Sequence, residues 1–365
     1  MKIKAAVVRE KSGPFLIEDV ELDEPRDDEI LVRIAASGLC HTDLVARDGY
    51  MPIPFPAVLG HEGAGVVEKV GNRVTKVKAG DHVVMSFRSC GVCPSCARGL
   101  PANCLDFFKL NFAGLRPDGA PTMKKDGQTI HAAFFTQSCF ASHVLAAERN
   151  VVKVRDDVPL DALGPLGCGI QTGAGGVINS LQARPGSSIA IFGTGSVGLS
   201  AVLAAVVCGC TTIVAVDIND GRLAMARQMG ATHVVNSGQA DPVEAIRAIT
   251  GCGADYSLEC TGLPKVFRQS VDALGMPGVC GLIGVAPFGV EASFDMQTIL
   301  NGRTIRGIVE GDSIPDVFIP RLIELYKQGR FPFDRMITFY AFDQINQAAE
   351  DSEKGRTLKA VLRLQ

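Results

Sequence analysis

Cys90, Cys93, Cys96 and Cys104 are crowded into fifteen residues, spaced C-x2-C-x2-C-x7-C. Core packing does not produce four thiols so close, because neighbouring positions would have to turn into one small volume. Four thiolates can instead surround one tetrahedral Zn²⁺ at ~2.3 Å and leave no open position. A closed site of this kind staples a loop and performs no reaction. A disulfide lattice fits less well, because the other eight cysteines are scattered singly and Met1-Lys2-Ile3-Lys4 leads into charged residues rather than an apolar signal core. The expectation is a reducing, cytoplasmic setting.

A second chemistry-bearing stretch is Gly193-Thr194-Gly195-Ser196-Val197-Gly198, a G-x-G-x-x-G pattern. The pattern alone is weak, but here it follows the apolar run Ser188–Phe192 and opens a helical stretch, which is the context it needs. The glycines let the backbone approach a pyrophosphate, which then meets a helix N-terminus. Asp217 ends the next apolar run. A carboxylate there can accept hydrogen bonds from ribose hydroxyls and repels a 2′-phosphate, so NAD is expected over NADP.

Three further clusters are Cys40-His41-Thr42-Asp43, Gly60-His61-Glu62-Gly63 and Gly167-Cys168-Gly169. Taken singly, such a cysteine reads as a small hydrophobe. Their order is more informative. Cys40, His61-Glu62, the four-cysteine lobe, Cys168, the glycine fingerprint and Asp217 follow one another as in the zinc-dependent medium-chain alcohol dehydrogenases, and the resemblance runs along essentially the whole chain. GPLGCGIQTG (164–173) and the ending FPFD (331–334) … FDQIN (342–346) are similar to the aryl-alcohol (benzyl alcohol) and geraniol dehydrogenase branch.

The resemblance implies a catalytic zinc on Cys40, His61 and Cys168, with a fourth position open, and a structural zinc in the lobe, hence two Zn²⁺ per chain. It implies that Glu62 is a carboxylate behind the metal and that Asp43 orients the ligand histidine. Thr42 would take the substrate proton towards the cofactor ribose. His41 and Lys359 would lie near the pyrophosphate and Thr172 near the nicotinamide. With Gly193, Gly195, Val197, Gly198, Asp217 and Arg222 they make up the expected NAD-binding set. Val45 departs from the pattern: many members carry there a histidine that passes the proton to solvent, which valine cannot do. The implied reaction is reversible hydride transfer that oxidises primary aromatic or allylic alcohols to aldehydes. Short aliphatic alcohols or hydroxymethylglutathione are the alternative substrates on the same scaffold. Phe87, Phe107, Phe108, Phe112, Phe134, Phe135 and Phe140 are candidates for an apolar pocket, most of them expected to pack the core and no more than two to touch substrate.

These residues need elements to hold them. The chain has 365 residues, 47% hydrophobic and 21% charged, enough for two or three domains with ample core. The net charge is -3, and without a basic run nucleic acid and anionic membranes are excluded as partners. A zinc-ribbon module would need two C-x2-C pairs and a basic surface, and a zinc-free quinone reductase would lack Cys40, His61 and the lobe. Residues 1–90 alternate in short runs (Ala5–Arg9, Glu29–Ala35, Gly65–Val70, Asp81–Met85), predicting a β-rich, barrel-like region. Residues 86–140 read mostly as loop. From about 186, strand, glycine turn and helix repeat, with strands expected at Ser188–Phe192, Ile213–Asp217, His233–Val235, Asp255–Glu259, Val279–Ile283 and Thr304–Ile308. Helices are expected at Val197–Cys208, Arg222–Met229, Ile319–Gln328 and Phe342–Asp351, and a closing strand at Leu358–Leu364. The fold class is therefore α/β: by resemblance a GroES-like catalytic domain (1–169 and 309–365, lobe 88–106), with a doubly wound, parallel-sheet Rossmann domain (170–308). Thr304–Ile308 would end that sheet as an exposed edge, which predicts a homo-oligomer; the resemblance implies that this edge pairs across a two-fold and that a tetramer is favoured over a dimer.

Overall fold

The computed structural model describes residues 1–364. The chain divides into two compact units: one of Met1–Cys168, Ile314–Arg321 and Asp334–Gln365, the other of Gly169–Ser313 and Leu322–Phe333. Residues 309–313 and 322–333, expected with the first unit, group with the second. The reason is local at Gly311 and Asp312: Asn179 Nδ2 donates to the Gly311 carbonyl at 3.2 Å and Ser180 Oγ donates to Asp312 at 2.7 Å.

The first unit is built on two sheets. One orders Ala57–Val58, Lys2–Val8, Phe15–Leu22, Met123–Lys125 and Gln128–Ile130. The other orders Val151–Lys153, His82–Met85, Glu62–Val70, Glu29–Gly38, Lys359–Arg363 and Ile337–Ala341, with His143–Ala147 also paired to Glu29–Gly38. Period-two alternation turns Ile30, Val32 and Ile34 into a core that also holds Phe15, Phe134 and Phe140. The register then brings chemistry together. Gly38 lies opposite Glu62 in one antiparallel pair and opposite Val361 in the other. The end of one strand, Leu39-Cys40, therefore lies beside the start of the next, His61-Glu62, and beside Lys359.

The second unit is a six-stranded parallel sheet in the order His233–Asn236, Thr212–Asp217, Ser188–Phe192, Ala254–Glu259, Leu274–Leu282, Thr304–Gly307. All five pairings are parallel. In chain order this is 3-2-1-4-5-6, the dinucleotide-fold order, which reverses between Ser188–Phe192 and Ala254–Glu259. The helix Ser196–Cys208 buries eight of its positions, Gly198 to Ala205. The expected α/β class with a parallel sheet is borne out. Phe15–Leu22 and His143–Ala147 were not anticipated as strands, and the 86–140 segment carries short helices at Pro94–Ala97 and Phe107–Phe112 within its loops. Among the described residues no helix is long and apolar enough to cross a membrane.

Candidate active site

In the lobe, the sulfurs of Cys90, Cys93, Cys96 and Cys104 all lie within 4.8 Å of one another. Cys90 and Cys96 Sγ are 3.9 Å apart, close to the spacing of about 3.8 Å that a tetrahedral zinc with ~2.3 Å bonds imposes. Two backbone amides already serve the sulfurs: Cys93 N–H donates to Cys90 Sγ at 3.3 Å and Cys90 N–H to Cys104 Sγ at 3.2 Å. Pro at the first helical position starts the turn Pro94–Ala97, which presents Cys93 and Cys96 together. A backbone hydrogen bond from Cys96 draws the Cys93 thiol down to about 6, while burial pushes the Cys104 thiol up to about 12. Four sulfurs at tetrahedral spacing fit a structural zinc.

The second donor set is Cys40, His61, Glu62 and Cys168, whose ligand atoms also lie within 4.8 Å of one another. Cys40 caps the helix His41–Arg47, where its N–H donates to Asp43 Oδ2 at 2.9 Å. Asp43 Oδ1 accepts from His61 Nδ1 at 2.8 Å and from Gly60 N–H at 3.0 Å. With Nδ1 carrying the proton, His61 Nε2 is the lone-pair atom, and it is buried without a hydrogen-bond partner among the described residues. An orphaned imidazole nitrogen beside two sulfurs is the donor pattern of zinc. The neighbouring Cys168 thiol is the largest influence drawing the Cys40 thiol well below its usual range. Glu62 is committed elsewhere: Lys359 Nζ lies 2.9 Å from each of its carboxylate oxygens. The residues present therefore fit a zinc held by three ligands with one position left.

Residues that the sequence reading passed over complete the frame. Gln137 is fully buried; its amide donates to the His61 carbonyl at 3.0 Å and the Ser86 carbonyl at 3.3 Å. Ser86 Oγ donates to the Gly167 carbonyl at 2.6 Å, which fixes the turn that carries Cys168. The only sequence signal for Gln137 is a polar residue inside FFTQSCF. Phe135 stacks on the His61 ring at 4.5 Å and Phe134 meets its edge at 5.5 Å. Phe87, Phe112 and Phe140 are buried, Phe107 partly so, and Phe108 is exposed. Thr42 is half-buried with Oγ1 3.8 Å from Cys40 Sγ, Val45 is half-buried, and His41 is exposed.

Lys359 requires a correction. It was expected beside a pyrophosphate, yet its side chain is 2% exposed and its ammonium is spent on Glu62 and on the Leu39 carbonyl at 3.4 Å. Burial alone would lower its pKa, but the Glu62 carboxylate and then Cys40 outweigh that and raise it. The cause is the register: Leu39 N–H bonds to the Ala360 carbonyl, so the strand Lys359–Arg363 delivers its first side chain to the metal-binding end of the sheet.

In the second unit, Gly193 has φ +86°, and a Cβ on Gly198 would lie 1.9 Å from the Gly193 carbonyl oxygen. Only glycine serves at both positions, and the loop closes onto the helix that starts after Gly195. Asp217 is 7% exposed. Its Oδ2 accepts from Thr194 N–H at 2.7 Å and Thr194 Oγ1 at 2.9 Å, and its Oδ1 from Ile218 and Asn219 N–H at 2.8 and 3.0 Å. Arg222 Nε is buried without a hydrogen-bond partner among the described residues. Thr172 Oγ1 donates to Glu310 at 3.2 Å.

Residues 26–156 match the alcohol dehydrogenase GroES-like domain, and residues 196–328 match the zinc-binding dehydrogenase domain. The chain is 48% identical to a geraniol dehydrogenase of Castellaniella defragrans, over 98% of this chain and 97% of that protein. Among solved structures it is similar to the benzyl alcohol dehydrogenase of Acinetobacter calcoaceticus, at 50% identity and TM-score 0.97 over the whole of both chains. It is also similar to an alcohol dehydrogenase zinc-binding domain protein of Burkholderia ambifaria, at 57% identity and TM-score 0.99 over 100% of this chain and 99% of that one. Identity near one half along the full length, joined to two thiolate-rich donor sets, places this chain in the zinc-binding alcohol dehydrogenase family, in the branch of the aryl-alcohol and geraniol dehydrogenases.

Proposed function

We propose that this protein oxidises primary aromatic or allylic alcohols to aldehydes, reversibly, with NAD as hydride acceptor. The observation that carries the reading is His61 Nε2, orphaned beside Cys40 and Cys168 while Lys359 occupies the neighbouring carboxylate. A zinc on these three residues supplies Lewis acidity that lowers the pKa of an alcohol and polarises an aldehyde. The protein's own groups do the rest. Asp43 holds the His61 tautomer, and Gln137 and Ser86 hold the backbone of His61 and Gly167. Thr42 moves the substrate proton towards the cofactor ribose. The Gly193–Gly198 loop and its helix N-terminus take the pyrophosphate. Asp217 disfavours a 2′-phosphate, with Arg222 and Thr172 in the same cofactor set. A second zinc in the lobe gives two per chain.

The substrate class rests on the two relatives named for geraniol and benzyl alcohol. The edge strand Thr304–Gly307 is exposed throughout, and Phe288, Met296, Leu300 and Ile305 are exposed apolar side chains in the same unit. These features support a homo-oligomer; the preference for a tetramer over a dimer rests on the family resemblance, and a cytoplasmic setting on the scattered, unpaired cysteines. The test is NAD reduction with benzyl alcohol, cinnamyl alcohol, geraniol, ethanol and hydroxymethylglutathione. The aryl and allylic alcohols should give the highest kcat/KM. A higher value with ethanol or hydroxymethylglutathione would remove the substrate claim and leave the zinc and cofactor claims in place.

A further inference from the structure

Lys359 and Glu62 form an ion pair sealed from solvent, their side chains 2% and 0% exposed. The ammonium holds both carboxylate oxygens at 2.9 Å and also reaches the carbonyl of Leu39, the residue before Cys40. The same carboxylate lies within 4.8 Å of the Cys40 and Cys168 sulfurs and of a His61 ring nitrogen. A group with the chemistry and reach of a metal ligand therefore stands beside a three-ligand set, held by the Lys359 ammonium. The fold makes room for it: a Cβ on Gly38 would lie 2.1 Å from Glu62 Oε2.

The charges match. Two thiolates and one carboxylate carry three negative charges, and a divalent zinc with one ammonium carries three positive. Removing the ammonium takes from a buried carboxylate the cation that lies 2.9 Å from both of its oxygens, which is strongly unfavourable. The nearest remaining cation is then the metal. A zinc with a fourth protein ligand has the closed coordination of a structural site and no position for substrate.

We propose that Lys359 is a positioning residue that keeps Glu62 off the metal and thereby holds the fourth coordination position open. The inference rests on Cys40, His61 and Cys168 being the zinc ligands. Its test uses the full-length enzyme with cobalt in the Cys40 site, without cofactor, titrated with imidazole and followed by visible absorption. In the parent, imidazole should shift the cobalt bands. Lys359→Met should keep its metal content and bind imidazole at least tenfold more weakly. Lys359→Arg, and the double variant Lys359→Met with Glu62→Gln, should return to within about threefold of the parent. Parental imidazole affinity in Lys359→Met overturns the inference, and so does a double variant as weak as the single one. If Lys359→Met does not fold, Lys359→Gln with the same Glu62→Gln rescue carries the same two outcomes. A parent without thiolate-to-cobalt absorption overturns the ligand reading, and the inference with it; a normal parent spectrum confines any failure to Lys359.

Discussion

Asp43 and His61, eighteen residues apart, meet through an Oδ1–Nδ1 hydrogen bond of 2.8 Å with both side chains fully buried. The same oxygen takes the Gly60 amide and the other oxygen takes the Cys40 amide. One carboxylate thus fixes the backbone at Cys40 and at Gly60, the residue before His61, and orients the His61 ring. Asp43→Asn must present an amide N–H to at least one of these donors. Zinc affinity at this site should fall 10–100-fold, the usual cost of losing a partner behind a metal ligand. Zinc retained after dialysis against a graded chelator series measures it. Full retention, with unchanged kcat/KM, would show that the hydrogen bond is incidental.

The two donor sets should respond differently to the same kind of change. Cys40→Ala removes a ligand from the proposed catalytic site and should abolish turnover while the fold and the lobe zinc remain. Cys96→Ala breaks the closed set at Cys90, Cys93 and Cys104, where bound metal contributes folding free energy. Its main effect should be a lower Tm and greater proteolysis within 88–106. Zinc counts of one per chain in each variant, against two in the parent, would complete the comparison. A parent with a single zinc would rule out one of the sites.

The lobe cysteines were legible because they share one short pattern, whereas the proposed ligands Cys40, His61 and Cys168 stood out only through their order along the chain; the parallel sheet was legible because buried runs such as Ser188–Phe192 stand between glycine turns. What the sequence could not convey was register. Lys359 belongs to a strand that pairs with a segment some 320 residues earlier, and nothing local says that its ammonium turns towards Glu62 rather than outward. Gln137 was invisible for the same reason, since its partner is a backbone carbonyl 76 residues away. Phe15–Leu22 escaped notice because Glu18, Asp19 and Glu21 interrupt its apolar residues; the strand exists because Lys2–Val8 pairs along its whole length.

Asp217 also does more than its motif suggests. Its carboxylate accepts four hydrogen bonds from the chain itself, two of them from Thr194 inside the glycine loop. Asp217→Ala should therefore weaken both cofactors by loosening the loop, and NAD more than NADP by removing the charge that repels a 2′-phosphate. Thr194→Val separates the two effects, because it removes the hydroxyl contact and leaves the charge. Dissociation constants from quenching of nucleotide fluorescence should show the NAD/NADP ratio narrowed in Asp217→Ala and preserved in Thr194→Val. Equal affinity for both cofactors in the parent would contradict the assignment of Asp217.

The edge strand Thr304–Gly307 gives the last prediction. On one side it pairs with Leu274–Leu282, and among the described residues its other side has no strand partner. All four residues are exposed, no proline interrupts them, and the one charged side chain, Arg306, is bonded to Asp312 and the Ser180 carbonyl. Exposed Phe288, Met296 and Leu300 add apolar surface that a monomer would leave in water. A second copy meeting this edge would cover both the open backbone groups and the apolar side chains. Light scattering at micromolar concentration should give a mass of at least two chains. Ile305→Pro, which removes one backbone donor and forces the strand out of register, should shift the mass towards one chain and lower Tm. A monomeric parent would refute the prediction, and an Ile305→Pro variant of parental mass would place the interface elsewhere.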